Sequence, residues 1–385
     1  MRSPAMIGLD LKFRVLSPRH RIFLVFPGEG YFLYEKFISL QRIFPQLPAL
    51  DLIPGRLVEA QPDHEKKVTR SRRIANWYRS GKRSDRPSRS LSDYGTVKRT
   101  RSLSQTTGVL AGFFDRAEKG DIVIVPGRSV FEKVLIGELL DQPTEFREIT
   151  VPELWEDEKV PSRRVNWLAF PERGECSLQL QRRFPSPNAF RELEQSLWPE
   201  VHAMAYASYS IQDRFTSRFD VTSPDFSTKD DYYLQQIFNL VASISEQINK
   251  NHYDGAIAID LTTKQIDEII ELLTDNTYVP TLTVNINSPG SLVLSCAKVV
   301  PLVVAGLLAL TTLDADTVWN AVEAQEVKVE NTEAPTNDPC TANVGLEVLE
   351  QIRMMGYDRW QEMCKKIKAL RMNNGLQGKS RATKK

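Results

Sequence analysis

Cysteine and histidine are scarce and stand singly. There are four of each in 385 residues (Cys176, Cys296, Cys340, Cys364; His20, His64, His202, His252), with no C-x-x-C, H-x-H or H-E-x-x-H spacing. A tetrahedral zinc site would have to gather isolated ligands from distant parts of the chain, so no metal is expected. Sparse, unpaired cysteine fits a reducing cytoplasm better than secretion. The opening MRSPAMIGLDLKFRV also lacks the uninterrupted apolar core of a signal peptide. G-x-x-x-x-G-K-[ST], G-x-G-x-x-G and G-x-S-x-G are all missing, which removes the common nucleotide cradles and the nucleophile elbow, and no cofactor is expected. Long apolar runs are missing too. Ser291–Leu313 comes nearest, but Lys298 and Pro301 interrupt it. Spanning hydrocarbon takes about 20 predominantly apolar residues, and a central lysine costs about 2.5–3.5 kcal/mol. The segment is therefore read as a buried helix, with a membrane-active helix as its rival.

What is present is ordinary in bulk and unusual in distribution. A hydrophobic share of 41% and a charged share of 26% are those of a globular chain, and the length suits two domains. The formal charge of +1 conceals an asymmetry. Lys66–Arg101 holds 13 basic and two acidic residues, net +11, leaving 37 basic and 47 acidic residues elsewhere, net −10. Residues 61–105 are Ser-rich with few aliphatics, a composition that buries too little apolar surface to offset ordering entropy, so they are read as a long mobile loop.

The spacing predicts an α+β protein. Arg21–Phe26 reads as a strand, Pro27–Gly30 as a turn and Tyr31–Leu40 as a short helix. Helix resumes over Leu110–Ala117, and Ile122–Val125 reads as a buried strand with Phe131–Leu140 as its hairpin partner. A strand is expected over Arg164–Phe170, and Ser186-Pro187 is expected to open a helix. The boundary falls near 200–225, giving a first domain over 1–200 and an α/β domain over 201–330. Ser227 with Asp230 caps a helix to about Asn249, and Thr262 with Gln265 caps another to about Leu273. Flanking strands at Ala256–Asp260 and Thr281–Ile286 would make this a parallel β-α-β unit. Residues 331–341 read as a linker, Leu346–Met372 as an amphipathic helix broken near Gly356, and Lys379–Lys385 as a basic tail. Met354, Met355, Trp360 and Met363 on that helix are expected in the core or in an oligomer interface.

The first half, through RIFLVFPGEG (21–30) with Phe37, TTGVLAGFFDRAEKGDIVIVPG (106–127), VLIGELL (134–140), RRVNWLAF (163–170) and FPSPNAF (184–190), resembles the PUA-like domains that precede Mrr-type restriction endonucleases and related phage-defence proteins. The resemblance covers about half the chain. It implies a small β-barrel or sheet with helices, and a role in recognising nucleic acid. The basic segment 61–105 is an insertion where that family has a short connector, and residues 201–385 resemble no family.

Clustered Lys and Arg around an aromatic pair are what a phosphate backbone rewards, through counterion release and stacking. The candidate nucleic-acid contacts are Arg70, Arg72, Arg73, Trp77, Arg79, Lys82, Arg83, Arg86 and Arg89, with Arg163, Arg164 and Trp167 at a pocket rim. The rival for the segment is docking on the protein's own acidic remainder. Trp167, Phe113, Phe114, Tyr31 and Tyr34 could wall a pocket for an extruded base, or simply be core. Asp260 with Asn287–Gly290 is a weaker candidate for an anion crevice. Asp314, Asp316 and Glu326-Val327-Lys328 superficially resemble a metal-dependent nuclease, although Asp316–Ala324 reads as a helix. The sequence thus predicts a nucleic-acid-binding protein of bacterial antiphage defence, with DNA as the ligand and no catalysis in this chain. A nuclease with an unrecognised site and a membrane-associated effector acting through 291–313 are the alternatives, and a protein partner or a homo-oligomer is compatible with all three.

Overall fold

The computed structural model describes residues 6–98, 100–185, 189–223, 225–254, 261–285, 290–334 and 338–384. The chain starts with β1 (Ile7–Asp10) and β2 (Arg14–Leu16). It continues with β3 (Ile22–Val25), α1 (Tyr34–Leu40), β4 (Arg42–Ile43), α2 (His64–Arg79), α3 (Arg101–Ala111), β5 (Ile122–Val125), β6 (Leu135–Leu139) and β7 (Arg147–Thr150). Then come α4 (Pro152–Trp155), β8 (Lys159–Ala169), α5 (Leu178–Gln181), β9 (Phe190–Glu192) and α6 (Trp198–Tyr206). The remainder is β10 (Ser208–Ile211), β11 (Arg214–Val221), α7 (Thr228–Asp254), α8 (Ile266–Ile270), β12 (Thr281–Asn285), β13 (Gly290–Cys296), α9 (Val300–Leu310), α10 (Ala315–Glu323), β14 (Val327–Glu330), α11 (Pro339–Asn374) and β15 (Arg381–Lys384). The protein is mixed α/β with several sheets, one of them a half-barrel. It divides into two units, Arg19–Ala205 and Met1–Pro18 with Tyr206–Lys385, so the first two strands lie in the second unit rather than with the first 200 residues.

The Arg19–Ala205 unit is built on a sheet of order β4-β8-β6-β5-β3-β9, with β7 added against β8. β3 and β5 run parallel, Leu24 opposite Ile124, and the other pairings are antiparallel. Both strands are buried at every position, which is why IFLV and IVIV read as continuous apolar runs. The expected hairpin of β5 with β6 and the strand over β8 are present. Residues 186–188, where a helix was expected to open, lie outside the described residues, and Phe190–Glu192 is the strand β9.

In the other unit the expected parallel crossover has its first strand, 256–260, outside the described residues. β12 pairs antiparallel with β13, the next strand in the chain, within a sheet of order β12-β13-β11-β10-β2. Asp260 and the strand expected at 256–260 lie outside the described residues, as do 287–289 of the proposed anion turn. The apolar segment Ser291–Leu313 is likewise not one helix. Its first residues alternate buried and half-buried as β13, and only α9 is the buried helix. Counting apolar residues over the whole segment hides this period of two, which is a strand signature. No single helix among the described residues is long and apolar enough to cross a membrane. Every residue of α9 is buried, and the helix packs on α7, α11 and β11. A Cβ on Gly306 would meet Val348 of α11 at 2.8 Å, so glycine sets the closest approach of these helices.

A second small sheet, β14-β1-β15, joins distant segments. Residues read as a basic tail form β15, antiparallel to β1, while β14 lies parallel on its other side. The start of the expected linker is pinned, since the Asn331 amide both donates to and accepts from the backbone of Phe13. Met355, Trp360 and Met363 of α11 are core residues, and Trp360 Nε1 donates to the Ala315 carbonyl at 3.1 Å.

Glu246 of α7 has its side chain only 2% exposed, and fastens the turn after α8. Burial opposes its ionisation. Lys250, the Thr274 hydroxyl and the backbone N–H groups of Asp275 and Thr274 outweigh burial by donating to it, and hold the carboxyl down at about 2. A carboxyl depressed in the fold adds stability that is complete above its unfolded value and disappears as pH falls toward 2. Against an ordinary value of 4.5, that is about 3 kcal/mol. Glu246→Gln should therefore lower stability at pH 7 and flatten its fall between pH 4.5 and 2. Denaturant melts of the two proteins across that range check this, and parallel pH profiles would refute it.

Candidate nucleic-acid interface

The basic segment is folded, in contrast to the mobile loop expected from composition. α2 buries Val68, Ile74 and Ala75 together with Lys67, Arg70 and Ser71, at helical spacings of three and four. Two of these cations are internal struts. Lys67 Nζ donates to the Asp51 carbonyl at 2.8 Å, and burial pushes its ammonium below the ordinary value. Arg70 is 5% exposed, with its guanidinium on the carbonyls of Arg89 and Ala49 and the carboxylate of Asp51. Arg70 is therefore a strut rather than a phosphate contact. Thr100 caps α3 by accepting from Leu103 N, and Arg72 Nη2 donates to Ser102 Oγ at 2.8 Å, tying α2 to α3.

Four of the remaining cations meet acids supplied from elsewhere in the same unit. Arg79 pairs with Glu29, Lys82 with Glu156, and both Arg86 and Arg89 with Glu158. Docking on the protein's own acids thus holds for these side chains, although each basic partner keeps its side chain about half exposed. Trp77 does not project freely. Its Nε1 donates to Ser84 O at 2.7 Å, and Lys82 and Arg86 lie 5.6 and 5.5 Å from its ring centre. Arg73 sits 5.3 Å from the Tyr94 ring. Arg83, Lys98 and Arg101 are exposed, with no hydrogen-bond or ion-pair partner among the described residues.

Arg163, Arg164 and Trp167 do not form a pocket rim. Arg163 is fully buried, donating to Phe113 O at 2.8 Å, Ala117 O at 2.6 Å and Asp141 O. Successive residues of a strand face opposite sides, so Arg164 turns outward onto the Asp141 carboxylate at 2.6 Å. Trp167 is half-buried, with Nε1 on the Phe37 carbonyl at 3.2 Å. Arg163 serves the fold, while Arg164 keeps its side chain about half exposed.

A cavity of about 390 Å³ opens beside α2. Phe26, Leu33, Phe44, Val109 and Phe113 form its apolar wall, and Gln46, Asn76 and Gln105 bring amides. Arg72, Arg79 and Glu29 border it. The side-chain amides of Gln46 and Gln105 make no hydrogen bond to any described residue, whereas the Asn76 amide oxygen accepts from Arg79 at 2.6 Å. Glu29 reaches Arg79 from a turn that needs glycine: Gly28 has φ 78°, and a Cβ there would meet Phe32 at 2.7 Å. Of the five aromatics expected to wall a pocket, only Phe113 does so. Phe114 packs on Phe146 in the core, Tyr31 edges onto Phe26, and Tyr34 donates to Lys133 O. Sequence reasoning missed Phe26, Phe44 and the three amides. Phe26, at the end of the first strand and before P-G-E-G, carried the one usable signal.

The cavity suits a flat, polar-edged ligand carrying negative charge. Faces come from phenylalanine, edge partners from the amides, and attraction from Arg72 and Arg79. No nucleophile with an adjacent base borders it among the described residues. In the other unit, Asp314 caps α10, Asp316 accepts from Tyr357 at 2.5 Å, and Lys328 pairs with Glu330. Asp314, Asp316 and Lys328 are thus engaged in separate structural contacts. Among the described residues, no three His, Cys, Asp or Glu side chains are grouped to hold a metal ion. No family model, curated protein or solved structure matches this chain.

Proposed function

We propose that the protein recognises nucleic acid, DNA in the first instance, and that the Arg19–Ala205 unit is a PUA-like domain that takes an unpaired base into the cavity beside α2. The observation that carries this reading is the combination at that cavity. Phenylalanine faces, the side-chain amides of Gln46 and Gln105 (unpaired among the described residues) and two arginines surround a space of about 390 Å³. A base drawn out of the stack is held between apolar or aromatic faces and read along its edge. Phosphates would exchange with Glu29, Glu156 and Glu158 on Arg79, Lys82, Arg86 and Arg89, and would meet Arg83, Lys98 and Arg101 directly. The resemblance of residues 21–190 to domains of restriction and phage-defence proteins supports a cytoplasmic role in bacterial antiphage defence, with the reaction itself left to a protein partner.

The test is binding of random-sequence single-stranded DNA and RNA, followed by fluorescence anisotropy across salt. Val109→Trp, which fills the cavity from α3, should weaken binding about 5- to 150-fold, the worth of one stacked base, with the salt slope unchanged. Arg72→Ser with Arg79→Ser should instead flatten the log–log slope by about 1.4, at about 0.7 per single-strand phosphate. Arg70 is kept, because it holds the fold. A wild-type protein without affinity for either nucleic acid refutes the proposal.

A further inference from the structure

The turn between β5 and β6 displays a large apolar tip that nothing in the Arg19–Ala205 unit covers. Phe131 is 85% exposed and Val130 47%, with Phe170 at the end of β8 42% exposed. A flexible loop would fold such a side chain back onto the protein, but this turn is held open. Glu132 accepts from Arg128 N through its carboxylate and donates its own N–H to Ser129 O. Gly174 N donates to Val130 O and Arg173 N to Glu132 O, both at 2.9 Å. The Arg173 guanidinium then clamps the carbonyls of Gly127 and Arg128 at 3.0 and 3.2 Å. The presented shape is ordered before any partner arrives, which lowers the entropy lost on binding.

The sheet topology places this tip next to the cavity. β3 and β5 are parallel neighbours, so the turns that follow them leave the same end of the sheet side by side. The turn after β3 supplies Phe26, Gly28, Glu29 and Leu33 to the cavity wall, and Tyr34 OH donates to Lys133 O at 2.7 Å, fastening one turn to the other. Arg128 and Lys133 flank Phe131, both exposed.

We infer that Phe131 is a wedge that enters a nucleic-acid duplex beside the cavity and fills the gap left in the stack by the extruded base. This rests on the reading of the cavity given above. Apolar side chains that open base steps have the same character, an unsupported hydrophobic tip between groups that grip the flanking phosphates. Arg128 and Lys133 provide that grip here.

The experiment compares Phe131→Ala with wild type on two probes: a DNA duplex bearing 2-aminopurine in a mismatch, where extrusion is easiest, and the same labelled strand alone. Phe131→Ala should lose at least tenfold in duplex affinity, together with the fluorescence rise that reports unstacking. Its affinity for the single strand should stay within twofold, since no stack has to be opened there. Phe131→Trp should restore duplex binding. The wedge is overturned if Phe131→Ala binds and unstacks the duplex as wild type does, or weakens on both probes equally. Sedimentation in which wild type self-associates and Phe131→Ala does not, with duplex binding unchanged, would overturn it in favour of contact with a second copy. If wild type binds the single strand but never the duplex, the wedge fails and the cavity reading stands. If it binds neither, both fail.

Discussion

Leu307→Asp is expected to yield no folded protein. Leu307 is 2% exposed in the middle of a helix whose every residue is buried. A carboxylate there would sit within a helix buried along its whole length, where the Arg371 guanidinium already donates to the Leu308 carbonyl at 2.6 Å, and an ionised group in such a place costs far more than the margin of a typical fold. Even the neutral truncation Leu307→Ala should remove about 2–5 kcal/mol, because Gly306 already brings α9 against Val348 and leaves the site little room to collapse. Far-UV circular dichroism and the soluble fraction after expression are the measurements. A soluble Leu307→Asp protein with a wild-type melt would mean that α9 is not the core of its unit, and would reopen a role for this helix outside the fold.

Arg163→Met should cost about 3–5 kcal/mol, the range seen when one partner of a buried charged network is removed. Its guanidinium spans three carbonyls from two segments: Phe113 and Ala117 around a π-helical turn, and Asp141 after β6. Methionine fills similar volume and leaves all three acceptors without a donor, at about 1–3 kcal/mol for each buried unsatisfied group. Arg163→Lys should recover only part, since one ammonium cannot reach three carbonyls arranged for a planar fork. Burial pushes Arg163 down to about 10, so its charge persists at neutral pH; because the unfolded chain would hold that proton more tightly, linkage through this group cannot lower stability as pH rises from neutral toward 10. Because the π-helical turn carries Phe113 to the cavity wall, Arg163→Met should weaken single-strand binding as well. Denaturant melts and hydrogen exchange over 159–169 report the loss. Unchanged protection there would show that the three carbonyls find other donors.

The strands of the Arg19–Ala205 unit were legible because unbroken apolar runs such as Ile122–Val125, closed by Pro-Gly, leave little choice. The basic segment was not. Its helix buries Val68, Ile74 and Ala75 as apolar anchors, and the segment is completed by cations whose partners Asp51, Glu29, Glu156 and Glu158 lie up to 74 positions away. Composition within a window cannot register a charge neutralised from outside it. The same limit explains Arg163, which sequence places beside a surface tryptophan and the fold encloses completely. β12 was legible as a strand, but its antiparallel pairing with β13 was not, because an alternating strand looks the same whether its partner comes earlier or later in the chain. The cavity was half legible. Phe113 was foreseen, while Gln46, Asn76 and Gln105 meet only through the packing of α2 and α3 on the turn after β3.

The sheet that joins β1 to β15 bears on how the chain is made. Ser380 Oγ donates to Leu11 O across 369 positions, and β1 lies between strands that are both translated late. At about 5–20 residues per second, β1 waits roughly 20–70 s on the ribosome before its partners emerge. Through that interval Ile7, Leu9, Leu11 and Phe13, each at most 2% exposed once folded, have nothing to pack against. The Arg19–Ala205 unit is contiguous and needs none of those late residues. It can fold while the rest is still being synthesised, leaving β1 as a bare apolar strand with free edges, the part of the nascent chain most in need of a chaperone.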